Sequence, residues 1–143
     1  MSESEVWHTA FSAETTAAPD TVWSIFRDVP GWKNWNAGIA HIEIDGPFAA
    51  GTWFTMQPPG EAPFRSRLVD VRDNACFVDE TRVGDLVVTV AHNIEPVGGG
   101  RTRITYAVEA KGPGAAEIGA AVSADFPEVL AALVRLAETK SAP

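Results

Sequence analysis

The chain has a single cysteine, Cys76, so no intrachain disulfide can form, and this usage points to a reducing compartment. Basic residues are scarce: 11 Lys and Arg stand against 19 Asp and Glu, a net charge of −8. Such a surface repels polyphosphate, which argues against nucleic acid or an anionic membrane as a partner. No apolar run approaches the roughly 18 residues that a membrane span needs. The opening MSESEVWHTAF lacks the basic and apolar parts of a secretory signal. The three histidines, His8, His41 and His92, have no ligand-type spacing, and only His41 and Glu43 could share a strand face, so no metal site is expected. No Ser/Gly/Pro-rich linker divides the chain and no internal repeat occurs. With 45% apolar and 21% charged residues, it reads as one folded domain over residues 1–143, with an ordered core of about 5–138 and a frayed tail at 139–143. The expectation is a cytoplasmic protein, monomeric or weakly homodimeric, with no membrane partner.

The first element alternates Val6, His8 and Ala10 with Trp7, Thr9 and Phe11, which predicts a strand. AAPDTVWSIFRDV follows. Pro19 suits a helix start, Asp20 the first turn, and Val22, Ile25, Phe26 and Val29 recur at helical spacing until Pro30-Gly31 stops them. WKNW then predicts a second short helix or turn. From residue 40 the period becomes two, and Gly, Pro and Asn clusters punctuate six apolar stretches, which predicts an antiparallel meander. The last stretch is helical. Phe126, Val129, Leu130, Leu133 and Leu136 make one apolar face, preceded by a less regular helical piece, AAEIGAAV, with Ser123 or Asp125 as the cap of the new first turn. The fold class is α+β: a seven-stranded curved antiparallel sheet around a long C-terminal helix. One helix cannot fill the whole concave face, so an internal cavity is expected.

This order, with APDTVWSIFRDVPGWKNW after the first strand, resembles the helix-grip fold of the START/SRPBCC superfamily, and within it the polyketide cyclase/dehydrase-like families. The resemblance spans about Glu5 to Glu138. It is carried by the Ala18-Pro19…Val22-Trp23 helix start, the Asp28…Trp32…Trp35 spacing and the Gly46…Gly51-Thr52 hairpin. The His92-Asn-Ile-Glu-Pro…Gly-Arg-Thr-Arg-Ile-Thr hairpin and the Leu-rich helix complete it. It implies a lined cavity for a hydrophobic small molecule. The iron ligands of the ring-oxygenase branch are missing, and no cofactor is implied.

Strand parity selects the candidate site. In LVVTVAHNIEP, His92 shares a face with Leu86, Val88, Val90 and Ile94. A hairpin centred on Gly99 sets His92 opposite Tyr106, and the two are the candidate catalytic residues: a pair able to hydrogen-bond a ketone or enol and move protons near neutral pH. A satisfied structural pair is the alternative. Asp79 should face inward with Phe77, either raised in pKa or neutralised by an arginine. Arg65 and Arg67 share a strand face whose direction stays open, because Leu68 and Val69 disagree about which side is inside. Trp32 and Trp35 are placed at the cavity lip, with at least one in the core. Trp35, Phe54, Met56, Phe77, Asp79, Val90, Phe126 and Leu130 are the expected lining. Cys76 points away from the face of Phe77, which leaves it a structural residue. Two functions fit: cofactor-free cyclisation, dehydration or isomerisation of a hydrophobic keto compound, or non-catalytic carriage or sensing of a hydrophobic molecule or lipid.

Overall fold

The computed structural model describes residues 5–141. Ten alternating residues form β1 (Val6–Thr15), which leads into α1 (Pro19–Arg27) and a 3₁₀ turn (Val29–Asn34). The meander follows as β2 (His41–Ile44), β3 (Trp53–Gln57), β4 (Phe64–Arg72), β5 (Cys76–Val83), β6 (Leu86–Val97) and β7 (Arg101–Lys111). Two helices, α2 (Ala115–Ser123) and α3 (Phe126–Ser141), close the chain. The seven strands form one antiparallel sheet in the order β1-β7-β6-β5-β4-β3-β2, so the chain's first strand pairs with its last.

Local chemistry accounts for these elements. Pro19 starts α1 with its fixed φ, Asp20 sits in the first turn and Arg27 in the last, which suits the helix dipole. Val22, Trp23, Ile25 and Phe26 of α1 are buried against the sheet and α3. The β6–β7 hairpin turns through Gly99 and Gly100 at φ 76° and 73°, a left-handed conformation that glycine adopts without steric cost. Its register sets His92 opposite Tyr106 and Ile94 opposite Ile104. The buried side of α3 is Val129, Leu130, Leu133 and Ala137. Thr15 Oγ1 ties β1 to α3 by donating to Glu138 Oε2 at 2.9 Å.

Three expectations need correction, and one question left open is decided. Leu136 and Phe126 are only half-buried, because the inward stripe of α3 continues through the small Ala137 instead. Ser123 does not cap α3: its hydroxyl donates back to the Gly119 carbonyl at 2.9 Å, closing the preceding helix. Residues 139–141 are not frayed but form the last turn of α3, where Thr139 Oγ1 donates to the Arg135 carbonyl at 2.9 Å. Residues 142–143 of that tail, and the first four of the N-terminal segment, lie outside the described residues. The disagreement between Leu68 and Val69 is resolved by a β-bulge between Leu68 and Asp70. Ser66 and Leu68 face in before the bulge and Val71 faces in after it, opposite Phe77, so Arg65 and Arg67 face out.

Candidate functional site

Two neighbouring rows of inward side chains cross five strands under the helices. One row is Phe11 (β1), Tyr106 (β7), His92 (β6), Phe77 (β5) and Val71 (β4). The next is Thr9, Val108, Val90, Asp79 and Leu68 on the same strands. Asp79 is therefore a diagonal cross-strand neighbour of His92, within reach of a long or aromatic side chain.

His92 lies among rings. Its imidazole stacks on Phe77 with centroids 3.9 Å apart and planes 7° apart, and meets Tyr106 edge-on at 4.5 Å. Phe26 of α1 closes the other side at 5.8 Å. Nδ1 lies 3.3 Å from the Phe77 carbonyl, which can only accept, so Nδ1 carries the hydrogen and Nε2 presents a lone pair. Burial holds the His92 pKa down at about 3, so the ring is neutral through the physiological range. Such a ring is ill-suited to carry a proton near neutrality.

Tyr106 is 3% exposed, packs edge-on against Phe126 at 5.3 Å, and keeps its proton: burial and the charges of Asp79 and Asp125 push its pKa up. Its hydroxyl is a donor. Asp79 is half-buried, and desolvation alone raises its carboxyl from 3.8 to about 7. No arginine neutralises it. Arg65 pairs with Asp45 on the outer face and lies 5.5 Å over the Trp53 ring, while Arg67 is exposed. Among the described residues every fully enclosed side-chain polar atom has a hydrogen-bond partner. The imidazole is within hydrogen-bonding reach of the Phe77 and Val90 carbonyls, whereas the Tyr106 hydroxyl and the Asp79 carboxyl make no hydrogen bond among the described residues.

The other expected lining residues divide. Val90 belongs to the second row, half-buried Phe126 packs against its cluster, and Leu130 packs in the main core. Phe54 is buried against Trp32 at 5.8 Å. Trp32 is core, with Nε1 donating to the Phe26 carbonyl at 2.8 Å, whereas Trp35 and Met56 are half-buried at the margin. Cys76 lies opposite Asn93 and so faces away from His92, and burial raises its thiol pKa. His41 and Glu43 meet at 3.5 Å on an exposed edge. Among the described residues no three His, Cys, Asp or Glu side chains converge as a metal site. Phe11, Phe26 and Asp125 were not among the expected site residues. Phe11 was legible, since it alternates with Ala10 and Ser12 on a strand; the approach of Asp125 to Tyr106 depends on how α3 docks and has no sequence signal.

Rings fill the concave face around His92. The inward side chains Asp79, Thr81, Met56 and Phe126 stay only half-buried. Two surface clefts lie elsewhere. One, of about 600 Å³, is lined by Trp23, Arg27, Asn74 and Lys140 among others, and one, of about 370 Å³, lies beside the Gly98–Thr102 turn.

Residues 7–138 match the family model for polyketide cyclase/dehydrase and lipid transport proteins. The chain belongs to that family. No curated protein sequence matches it. Among solved structures, an aromatase/cyclase from Streptomyces sp. R1128 superposes with a TM-score of 0.81 at 16% identity, covering 96% of this chain and 97% of that one. Norcoclaurine synthase from Thalictrum flavum, in complex with dopamine and hydroxybenzaldehyde, gives 0.78 at 15% identity over 98% and 91% of the two chains. A START superfamily protein from Mycobacterium smegmatis gives 0.73 at 17% identity over 92% and 97%. These identities show a shared helix-grip fold and no more. No helix of the described residues is long and apolar enough to cross a membrane.

Proposed function

We propose that this member of the polyketide cyclase/dehydrase family binds a hydrophobic small molecule between α3 and the concave sheet and acts on it without a cofactor, by cyclisation or dehydration of a keto compound. One observation carries the reading. Two polar groups that make no hydrogen bond among the described residues, the Tyr106 hydroxyl and the Asp79 carboxyl, lie beside the His92 ring on adjacent rows of an otherwise apolar wall. A carrier needs only the apolar wall, and unpaired polar groups there cost stability unless a ligand completes them. Tyr106 suits a carbonyl oxygen and His92 a hydroxyl or enol hydrogen. The carrier reading draws support from the tight Phe77–His92 stack, which makes His92 equally a structural ring.

Native mass spectrometry of the purified protein, paired with Nile red fluorescence, tests the binding step. A copurified hydrophobic molecule, or Nile red emission that the protein enhances and shifts to the blue, is expected. A bare protein mass together with unchanged Nile red emission would refute the reading.

A further inference from the structure

We propose that Asp79 is the base of this site, taking a proton from a carbon acid held against Tyr106 and His92. The inference rests on the binding reading above and goes beyond it by assigning the proton transfer to the carboxyl rather than to the imidazole.

Geometry leads to Asp79. It stands on β5 in the row beside Tyr106 and His92, faces inward between Leu68 and Val90, and has no hydrogen bond or ion pair among the described residues. The titratable groups beside it are His92 on β6 and Tyr106 on β7, and Asp125 at the head of α3 acts on Tyr106 as well; β4 offers only Leu68. No cation joins them. Arg65, Arg67, Arg72 and Arg82 all lie on exposed surface, three of them paired there with acids. The alternatives are unsuited to proton transfer. Neutral His92 is a very weak base, and Tyr106 keeps its proton, whereas Asp79 titrates at about 7. A carboxyl poised at the working pH is half ionised and so available as a base and, once protonated, as an acid.

The step balances without any further reactant. A carboxylate oxygen of Asp79 removes the proton from carbon next to a carbonyl, and the C–H electron pair moves to the carbonyl oxygen, where the Tyr106 hydroxyl donates a hydrogen bond. In a dehydration the enolate then re-forms the carbonyl and expels a β-hydroxyl, which leaves as water with the proton that Asp79 holds. A bond to hydrogen and a bond to oxygen break, a C=C bond forms, and the carboxylate is regenerated. The acidic interior favours an uncharged substrate over one with a carboxylate or phosphate.

The proposal can be tested without the natural substrate. 5-Nitrobenzisoxazole is an uncharged aromatic carbon acid. Removal of its C3 proton breaks the N–O bond, forms a nitrile and releases a coloured phenolate. The protein should accelerate this reaction, with a rate that rises with pH and levels off above about pH 7. Asp79→Asn should reduce the accelerated rate by about 10²–10⁴-fold, Asp79→Glu should restore part of it, and Asp73→Asn, an exposed control carboxylate, should leave it unchanged. Nile red binding and thermal unfolding of each variant are measured in parallel. Equal rates in the wild type and Asp79→Asn, or a rate with no inflection between pH 5 and 9, would overturn the assignment; retained Nile red binding would then leave the ligand-binding reading standing. Absence of both Nile red binding and acceleration would overturn the two together.

Discussion

Replacing Asp79 by Asn should stabilise the protein at neutral pH, an unusual result for a buried polar position. The carboxyl titrates at about 7 in the folded state against an ordinary 3.8, with desolvation as the cause. The folded state therefore holds this proton more tightly than the unfolded chain. The contribution of Asp79 to stability is full below pH 3.8 and is lost as pH rises toward 7. The gap between the two values corresponds to about 4 kcal/mol. His92 works in the opposite sense. Its pKa falls from 6.5 to about 3, so its contribution is present above pH 6.5 and is lost on acidification toward 3. Between about pH 4 and 6.5 the two trends largely cancel in the wild type. Asn is nearly isosteric with the protonated acid, so Asp79→Asn should match the wild type near pH 4 and exceed it by up to about 4 kcal/mol at pH 8, less any cost of an unmade amide hydrogen bond. Urea denaturation of both proteins from pH 4 to 8 measures the difference, and surface titrations common to both, such as that of Glu14, drop out. A stability difference that does not change over this range would refute the argument.

Three further outcomes follow from the packing and the surface. Leu130, 2% exposed beneath α3, should cost about 2–5 kcal/mol when changed to Ala, and chemical denaturation giving under about 1 kcal/mol would remove it from the core. Gly119→Ala should destabilise by about 1–3 kcal/mol, read as a lower thermal midpoint, because its new Cβ would sit 2.3 Å from Trp7 Cε3 where α2 crosses β1. Light scattering should give a monomer or a weak dimer, since a net charge of −8 opposes self-association; a tetramer would reveal an interface that neither the sequence nor the fold announces.

Most of the architecture was legible because it is written in period and punctuation. Alternation carries β1 and the meander, and Gly99 centres the hairpin that brings His92 to Tyr106, whereas α1 ends at Arg27, before Pro30-Gly31, which fall in the 3₁₀ turn. What stayed illegible depends on tertiary contact. The bulge after Leu68 leaves no mark in composition, yet it decides that Arg65 and Arg67 face out. Likewise Leu136 looks like the next step of the α3 stripe, but a 3.6-residue period carries the buried line to Ala137.

The candidate site shows the same division between parity and environment. Alternation alone put His92, Tyr106, Phe77 and Asp79 on one face, and the registers agree. It could not assign chemical roles, because a pKa is set by what surrounds a group rather than by its place in a strand. An imidazole in sequence looks like the natural proton carrier near neutrality. Stacked on Phe77, walled by Phe26 and bonded through Nδ1, this one loses that capacity, since protonation would bury a charge with no counter-ion. The same dry wall has the reverse effect on Asp79, whose neutral form carries the proton, and brings it to the working pH. One low-dielectric environment thus moves a base and an acid in opposite directions, and the acid is the group left able to exchange a proton.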